Sequence, residues 1–342
     1  MKKGNAWRHL ALGILIATVS LYLTYRKTNG RELLEALEEI NWPVLFMVLP
    51  PLALSYVFRA VRWRKLLEPV GKVSAGDVAG PLITGFFVNT LLPGRVGEIL
   101  RVLLLSRKTG ISRGSSFATV ILARLFDGLT LAAMSLLVMG VFWERLNMTV
   151  RMGLAAAGFM YVLLLAGLVF LRSHHDSAAG ILSFPVRLMG FKTIAGGLER
   201  MMRSFAEGLG VLKNARDAAV VGLYSALIWG CLILSVVPVF LAMHLSFTWY
   251  HPVLILVLAG LGMLVPTPAG MGTVHGALVL VLPGLGVLGV DDAKVLALLF
   301  HSTQFLPVIA VGLFVGIREG VTAAQVERIA EEGEEMVRPP GG

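Results

Sequence analysis

The sequence predicts an all-α polytopic membrane protein. Hydrophobic residues make up 56% of the 342-residue chain and charged residues only 15%, whereas soluble domains carry about 25% charged residues. Apolar windows long enough to cross a bilayer, about 18 residues or more, recur along nearly the whole chain. Basic residues concentrate between these windows, which is the distribution that sets membrane topology. We therefore expect one integral membrane domain over residues 1–342 and no soluble catalytic domain.

The hydropathy pattern predicts about six full spans and two broken, re-entrant helical hairpins, or eight spans if the hairpins are counted as crossings. The first half-repeat, residues 1–143, has its predicted spans at Met1–Tyr25, Pro43–Arg59 and Ser116–Trp143 and its hairpin at Asp77–Leu105. The first span resembles a signal sequence, but no convincing small-x-small cleavage site follows it, so we expect it to be retained. Basic clusters flank the hairpin on both sides, which predicts that it enters and leaves from one face of the bilayer.

The second half-repeat, residues 150–316, shows the same order of elements. Its predicted spans are Gly153–Leu171, Ala218–Met243 and Ala293–Gly316, and its hairpin is Pro252–Leu282. Because each half crosses the membrane an odd number of times, the second half is expected to be inverted relative to the first. Inverted repeats with paired broken helices are typical of transporters, whose substrate site lies near the midplane. A short polar tail at 317–342 completes the chain.

The basic residues also predict an orientation. This path places 21 of the 30 Lys and Arg residues on the inner side, so both termini are expected to be cytoplasmic. The cluster Phe58–Lys65 is interpreted as a cytoplasmic boundary. The loop Arg172–Arg216 leaves two interpretations open: a helix on the anionic inner leaflet, or a solvated connector whose charges only set topology.

The first helix break carries most of the intramembrane charge. In Leu92-Pro-Gly-Arg-Val-Gly-Glu98, Pro93-Gly94 should interrupt the helix, and Arg95, Glu98 and Arg101 follow at i, i+3 and i+6, roughly one face. Ionisable groups at membrane depth cost about 2.5–3.5 kcal/mol each on insertion scales, so they usually line a cavity or pathway. A restarted helix with an arginine beside its N-terminus suits a phosphate or carboxylate. The alternative is an internal ion pair, Arg95–Glu98 or Glu98–Arg101, that only holds the hairpin together.

A second break and three further polar groups complete the candidates. Pro266-Thr-Pro-Ala-Gly-Met-Gly272 predicts another helix start, with His275 in its first turn. Arg124 and Asp127, at i, i+3 in one span, either form a structural buried pair or contact substrate. His301 and Gln304 have the same spacing in the last span, where packing is the simpler explanation. His275 is either a polar core residue or a proton carrier.

Other functional classes find no support in the sequence. It contains no phosphate-binding loop ending in Lys-Ser/Thr, no HExxH and no GxSxG. A single cysteine, Cys231, rules out an intramolecular disulfide and a thiol metal cluster. We therefore expect no enzyme activity, no cofactor and no metal. The net charge of +9 lies in loops between apolar runs rather than in one basic face, so nucleic acid is not an expected partner.

Several motifs together resemble the lysylphosphatidylglycerol synthase transmembrane-region family, flippase-like integral membrane proteins of bacteria and archaea. They are Phe58-Arg-Ala-Val-Arg-Trp-Arg, Asn89-Thr-Leu-Leu-Pro-Gly-Arg-Val-Gly-Glu, Arg124-Leu-Phe-Asp127 and Pro266-Thr-Pro-Ala-Gly-Met-Gly. The resemblance covers roughly residues 8–318, and the Leu-Pro-Gly-Arg-x-Gly-Glu motif is its most specific part. In multidomain relatives this unit moves aminoacylated phosphatidylglycerol across the bilayer, and a separate soluble domain makes that lipid. This chain resembles the translocating unit without that domain.

The resemblance implies a stand-alone lipid flippase of the bacterial or archaeal cytoplasmic membrane. The family commonly has Glu where this chain has Ala123, and often Glu where it has His275, so we expect an anionic headgroup rather than a lysyl lipid. The expected partners are an anionic phospholipid or a polyprenyl-phosphate-linked sugar, and a separate lipid synthase or glycosyltransferase. The alternative function is a membrane subunit or scaffold of a lipid-modifying enzyme. The candidate substrate-binding residues are Asn89, Arg95, Glu98, Arg101, Arg124, Asp127, Pro266, Pro268, Gly270, Gly272, His275 and Gln304.

Overall fold

The described part of the chain is entirely helical, apart from its turns and loops. The computed structural model describes residues 4–92, 95–146 and 205–322, with scattered positions between 148 and 203. The helices are α1 (Gly4–Tyr25), α2 (Gly30–Glu38), α3 (Trp42–Phe46), α4 (Leu49–Leu67), α5 (Ala75–Leu91), α6 (Val96–Thr109), α7 (Arg113–Val141), α8 (Ala215–Ala242), α9 (Tyr250–Gly262), α10 (Thr273–Gly284) and α11 (Val290–Arg318). Short 3-10 turns lie at Trp143–Arg145, Leu209–Lys213 and Pro268–Gly270.

The predicted fold class is confirmed. Four helices or helix pairs in the described ranges are long and apolar enough to cross a membrane: Trp42–Leu67, Arg113–Val141, Ala215–Ala242 and Val290–Arg318. Shorter apolar helices occupy Ala11–Tyr25, Tyr250–Gly262 and Pro268–Gly284. An all-α polytopic membrane protein accounts for these elements.

Part of the predicted plan lies outside the described residues. This applies to Pro93-Gly94, to most of the span Gly153–Leu171 and to most of the loop Arg172–Arg216. The described end of that loop is packed rather than solvated, because Leu209 and Val211 are buried in a core with Trp63. In the described part, a long helix, two short helices and another long helix occur twice, as α4 to α7 and as α8 to α11.

The first hairpin consists of α5 and α6, which cross at two glycines. A Cβ atom on Gly97 would lie 1.9 Å from the carbonyl oxygen of Gly85, and one on Gly85 would lie 2.7 Å from the carbonyl oxygen of Gly97. Real Cβ atoms do not approach so closely, so the two backbones touch only because neither residue has a side chain. This contact sets α6 directly against α5 before the charged residues of α6 follow.

The second hairpin consists of α9 and α10, joined by an irregular segment. Ala269, Gly270 and Gly272 all have positive φ, at 52°, 71° and 78°. A Cβ atom on Gly272 would lie 2.5 Å from the carbonyl oxygen of Ala17, so this turn packs directly on α1. Glycine is required there by both its backbone conformation and the close approach.

Candidate functional site

Six ionisable side chains from three helices meet in what we call the charged cluster. Each helix supplies two residues spaced i, i+3, which places both on one face. The cluster comprises Arg59 and Arg62 of α4, Glu98 and Arg101 of α6, and Arg124 and Asp127 of α7. Two of these helices, α4 and α7, belong to candidate spans, so four of the six residues lie on helices long and apolar enough to cross a membrane.

Asp127 holds one side of the charged cluster. Arg62 donates a hydrogen bond to it from each terminal nitrogen, from Nη1 to Oδ1 at 2.7 Å and from Nη2 to Oδ2 at 3.2 Å. Arg124 Nη1 lies 3.5 Å and Arg59 Nη1 3.9 Å from Oδ2. Arg62 also donates to Ser225 Oγ of α8 at 2.8 Å. A bidentate arginine pair of this kind is strong and directional, so Arg62 is the firmest partner of Asp127.

Glu98 holds the other side. Arg124 donates to its Oε1 from Nε at 2.9 Å, and also from Nη2. Arg101 Nη2 lies 2.5 Å from Oε2, but neither atom has the geometry of a hydrogen bond with a described residue. Asn89 of α5 donates to Glu98 Oε1 at 3.2 Å, and its Oδ1 accepts from the Gly97 backbone at 2.8 Å. Asn89 therefore fixes the start of α6 and orients Glu98 together.

Aromatic rings support the guanidinium groups. The ring of Phe86 has Arg59, Arg124 and Arg101 at 5.1, 5.3 and 6.0 Å from its centroid. Arg101 also lies over Trp63, at 5.0 Å. Contacts of this type contribute about 0.5–1 kcal/mol each at exposed sites and more when desolvated. They partly offset the cost of removing these cations from water.

Positive charge and unused donors remain after every pair is counted. The charged cluster has four arginines and two carboxylates, and the buried Nε–H groups of Arg59, Arg62 and Arg101 find no hydrogen-bond acceptor among the described residues. Five of the six charged residues, all but Glu98, line a small cavity together with Phe86 and Ala123. The cavity volume of about 10 Å³ is that of a single water molecule. Buried polar groups are normally hydrogen-bonded, so these donors suit a ligand that accepts hydrogen bonds and carries negative charge.

Arg95 lies apart from its predicted companions. It precedes α6 in a left-handed conformation, with φ 57° and ψ 33°, and its side chain is exposed. The i, i+3, i+6 pattern assumed that Arg95 was helical. Since the helix begins at Val96, only Glu98 and Arg101 share the buried face. The first break thus contributes two residues to the charged cluster, and Arg95 stands at its tip.

The candidates from the second break lie around a different space, which we call the apolar cavity. It has a volume of about 450 Å³ and lies among α1, the end of α5, the turn at 268–271 and α11. Pro268 lines it, Gly270 and Gly272 shape the turn, and Pro266 is exposed. Thr90 and Leu91, next to the first break, also line it, so the tips of both hairpins face one cavity.

His275 and Gln304 are near this cavity but not in the charged cluster. The imidazole of His275 is buried, with its centroid 4.6 Å from that of His301. Gln304 Nε2 donates to Ser235 Oγ of α8 at 3.1 Å, which is a helix-packing contact. Of the twelve candidates, Asn89, Glu98, Arg101, Arg124 and Asp127 belong to or contact the charged cluster. Arg95 lies at the tip of the first hairpin, and the other six lie around the apolar cavity or beyond it.

Sequence reasoning missed Arg59 and Arg62. Both were assigned to a cytoplasmic boundary with Arg64 and Lys65, because four basic residues in seven usually mark a membrane edge. The side chains divide by helix face: Arg59 and Arg62 point to Asp127, whereas Lys65 pairs with Glu68 and Asp217. The available signal was the i, i+3 spacing, which matches that of Glu98–Arg101 and Arg124–Asp127.

Comparisons with known proteins agree with this architecture. Residues 10–312 match the family model described as the lysylphosphatidylglycerol synthase TM region. A protein of Haloferax volcanii named glycosyltransferase AglD is 25% identical over 150 residues, which are 44% of this chain and 22% of that protein. The chain thus spans about a fifth of the length of this curated relative.

Proposed function

Since the chain belongs to the lysylphosphatidylglycerol synthase transmembrane-region family, we propose that it is a flippase-like transporter of a lipid with an anionic headgroup. The lipid is an anionic phospholipid or a polyprenyl-phosphate-linked sugar. Its phosphate binds the charged cluster and passes from one leaflet to the other. The protein resides in the cytoplasmic membrane of a bacterium or archaeon with both termini in the cytoplasm, and its halves form an inverted repeat.

The observation that carries this proposal is the surplus of arginine donors in the charged cluster. Three buried Nε–H groups lack acceptors among the described residues, and four arginines face two carboxylates. A phosphate offers several acceptor oxygens and negative charge, and the planar guanidinium fork matches it well. A lysyl headgroup would instead bring a cation to a site with excess positive charge.

The cluster must open to bind its substrate. The cavity between the arginines has room for about one water molecule, so a phosphate enters only if the surrounding helices separate. Glu98 and Asp127 neutralise part of the arginines' charge in the closed state, and a bound phosphate supplies the rest. Alternating access exposes the cluster to each leaflet in turn. A gradient, the membrane potential or downhill lipid flux drives the cycle.

The test compares lipids retained by wild type, Arg59→Gln and Arg31→Gln after gentle extraction, by native mass spectrometry. Arg59 is the arginine of choice because its contact with Asp127 is the longest, at 3.9 Å, so its loss leaves the shorter ion pairs intact. Arg31 is an exposed arginine paired with Glu35 and controls for the substitution itself. We expect an anionic lipid that wild type and Arg31→Gln retain and Arg59→Gln loses. That lipid, fluorescently labelled, should then be translocated in proteoliposomes by wild type and Arg31→Gln but not by Arg59→Gln.

The proposal fails if all three proteins retain the same bulk lipids and none translocates an anionic lipid faster than protein-free vesicles.

A second candidate is a membrane subunit or scaffold of a lipid-modifying enzyme. It is favoured by the resemblance to glycosyltransferase AglD of Haloferax volcanii. A scaffold predicts stable co-purification with a separate synthase or glycosyltransferase and no lipid movement by the purified chain. A subunit predicts a lipid-linked product when the purified chain is supplied with a donor substrate.

A further inference from the structure

The apolar cavity contains a buried polar group without a partner. His301 is only 6% exposed and lines the cavity. Neither its Nδ1 nor its Nε2 has a hydrogen-bond partner among the described residues. The Nδ1 of the neighbouring His275 also lacks a partner among them. A neutral imidazole has one donor and one acceptor, and leaving such groups unpaired in an apolar site costs about 1–3 kcal/mol each.

The surroundings of His301 define what it can bind. Among the described residues, no acidic side chain lines the cavity; besides His301, the lining residues with polar side chains are Thr18, Thr90 and Ser302, and the others are apolar. His301 is held in place by ring contacts with Phe305 at 4.4 Å and His275 at 4.6 Å between centroids. Such a site suits an uncharged oxygen on an otherwise apolar molecule.

Exposed apolar side chains border the apolar cavity. The rim residues Ile14, Leu91 and Leu306 are 50%, 47% and 62% exposed, and in a polytopic membrane protein such exposed apolar residues face hydrocarbon. A volume of about 450 Å³ is in the range of cavities that bury small organic ligands, roughly 300–1,000 Å³. A hydrocarbon chain can enter sideways from the bilayer without crossing a polar barrier.

We propose that the apolar cavity is a chain-binding site for a lipid, in which an acyl chain lies between α1 and α11 and its ester oxygen accepts a hydrogen bond from His301. The proposal rests on the proposed function only in taking the ligand to be a lipid. The cavity also meets the charged cluster along α5, because Phe86, which borders the cluster, and Thr90, which lines the cavity, are one helical turn apart.

Photolabelling in vesicles tests this site. The probe is a phosphatidylglycerol with a diazirine on one acyl chain, and the labelled peptides are mapped by mass spectrometry. We expect labelling in the wild type to concentrate on α11 around Leu306 and Ile309. In Thr18→Trp the indole occupies the cavity, and this labelling should fall roughly tenfold, since a filled cavity excludes the chain. Val19→Trp places the same ring on the adjacent residue, which does not line the cavity, and should leave labelling unchanged.

A second pair of variants tests the imidazole. His301→Phe keeps an aromatic ring but removes both nitrogens, so labelling should fall roughly two- to tenfold, the ratio that one hydrogen bond contributes. His251→Phe, on a histidine that stacks on Phe240 away from the cavity, should have no effect. Equal labelling of Thr18→Trp and wild type would overturn the chain site, and equal labelling of His301→Phe and wild type would overturn the role of His301. Labelling reports occupancy rather than translocation, so a failure of the flippase assay remains a separate result.

Discussion

The two hairpins use the same backbone device for different chemistry. Each restarts its second helix after a residue with positive φ, Arg95 before α6 and Gly272 before α10, and each relies on a glycine contact too close for a side chain. The first hairpin then buries Glu98 and Arg101 in the charged cluster, whereas the second buries the imidazole of His275 beside that of His301. The difference shows that similar helix breaks need not have similar surroundings: buried charges follow the first break, and mostly apolar side chains surround the second.

The largest loss of stability is expected when a buried carboxylate of the first hairpin is removed, since the second hairpin has no corresponding charge among its described residues. Glu98→Ala leaves the buried Arg101 without its carboxylate and removes one of the two carboxylates that contact Arg124. Removing one partner of a buried pair typically costs about 3–5 kcal/mol. We expect the thermal unfolding midpoint in detergent, followed by tryptophan fluorescence, to drop sharply. Glu35→Ala is the control, because that carboxylate and its partner Arg31 are both exposed. An unchanged midpoint in Glu98→Ala would mean that Glu98 does not stabilise the cluster.

The next largest loss of stability, caused by overpacking at a glycine, should be similar in both hairpins. Gly97→Ala and Gly272→Ala each force a Cβ atom against a backbone carbonyl, at 1.9 and 2.5 Å, and overpacking of this kind costs about 1–3 kcal/mol. Gly140→Ala on α7, where a Cβ atom meets nothing within 4 Å, is the matched control. Chemical denaturation of the three variants measures the difference. If only one hairpin variant is destabilised, the two breaks are not structurally equivalent.

A smaller effect is expected for the buried histidine of the second hairpin. His275→Phe retains a ring against Tyr25, at 5.9 Å, and against His301, so the loss should stay below about 1.5 kcal/mol, as for volume-conserving core changes. The same unfolding assay applies, with Glu98→Gln as the contrasting polar substitution in the first hairpin. A loss as large as that of Glu98→Gln would indicate that His275 takes part in a polar network.

The smallest effect on stability is expected at the tip of the first hairpin. Arg95 is exposed, and surface substitutions usually stay within about 0.5 kcal/mol, so Arg95→Ala should insert and unfold like the wild type. Under the proposed function, Arg95→Ala should nevertheless abolish translocation, because Arg95 at the hairpin tip would contact the headgroup first. Proteoliposome assays of Arg95→Ala and the control Arg31→Gln separate the two effects. If Arg95→Ala translocated lipid at the wild-type rate, Arg95 would have no role in translocation.

Helical spacing predicts some contacts of the charged residues but not their strongest ones. The pairs Glu98–Arg101 and Arg124–Asp127 could be placed on common helix faces, because helical spacing is a local property. The strongest contact of Glu98 is instead with Arg124, 26 residues away, and Asp127 binds Arg62, 65 residues away. No local pattern specifies such partners, since they depend on how α4, α6 and α7 pack together.

The sequence by itself determined the fold class, the two breaks and the helical spacing that puts Glu98 with Arg101 and Arg124 with Asp127. Composition and hydropathy are sums over neighbouring residues, and Pro and Gly act on their own backbone, so none of these needs the tertiary structure. Only the tertiary structure decided that Arg59 and Arg62 join the charged cluster, that Arg95 does not, and that both hairpin tips face the apolar cavity. Helix rotation and packing decide these points, because they choose which face of each helix is buried.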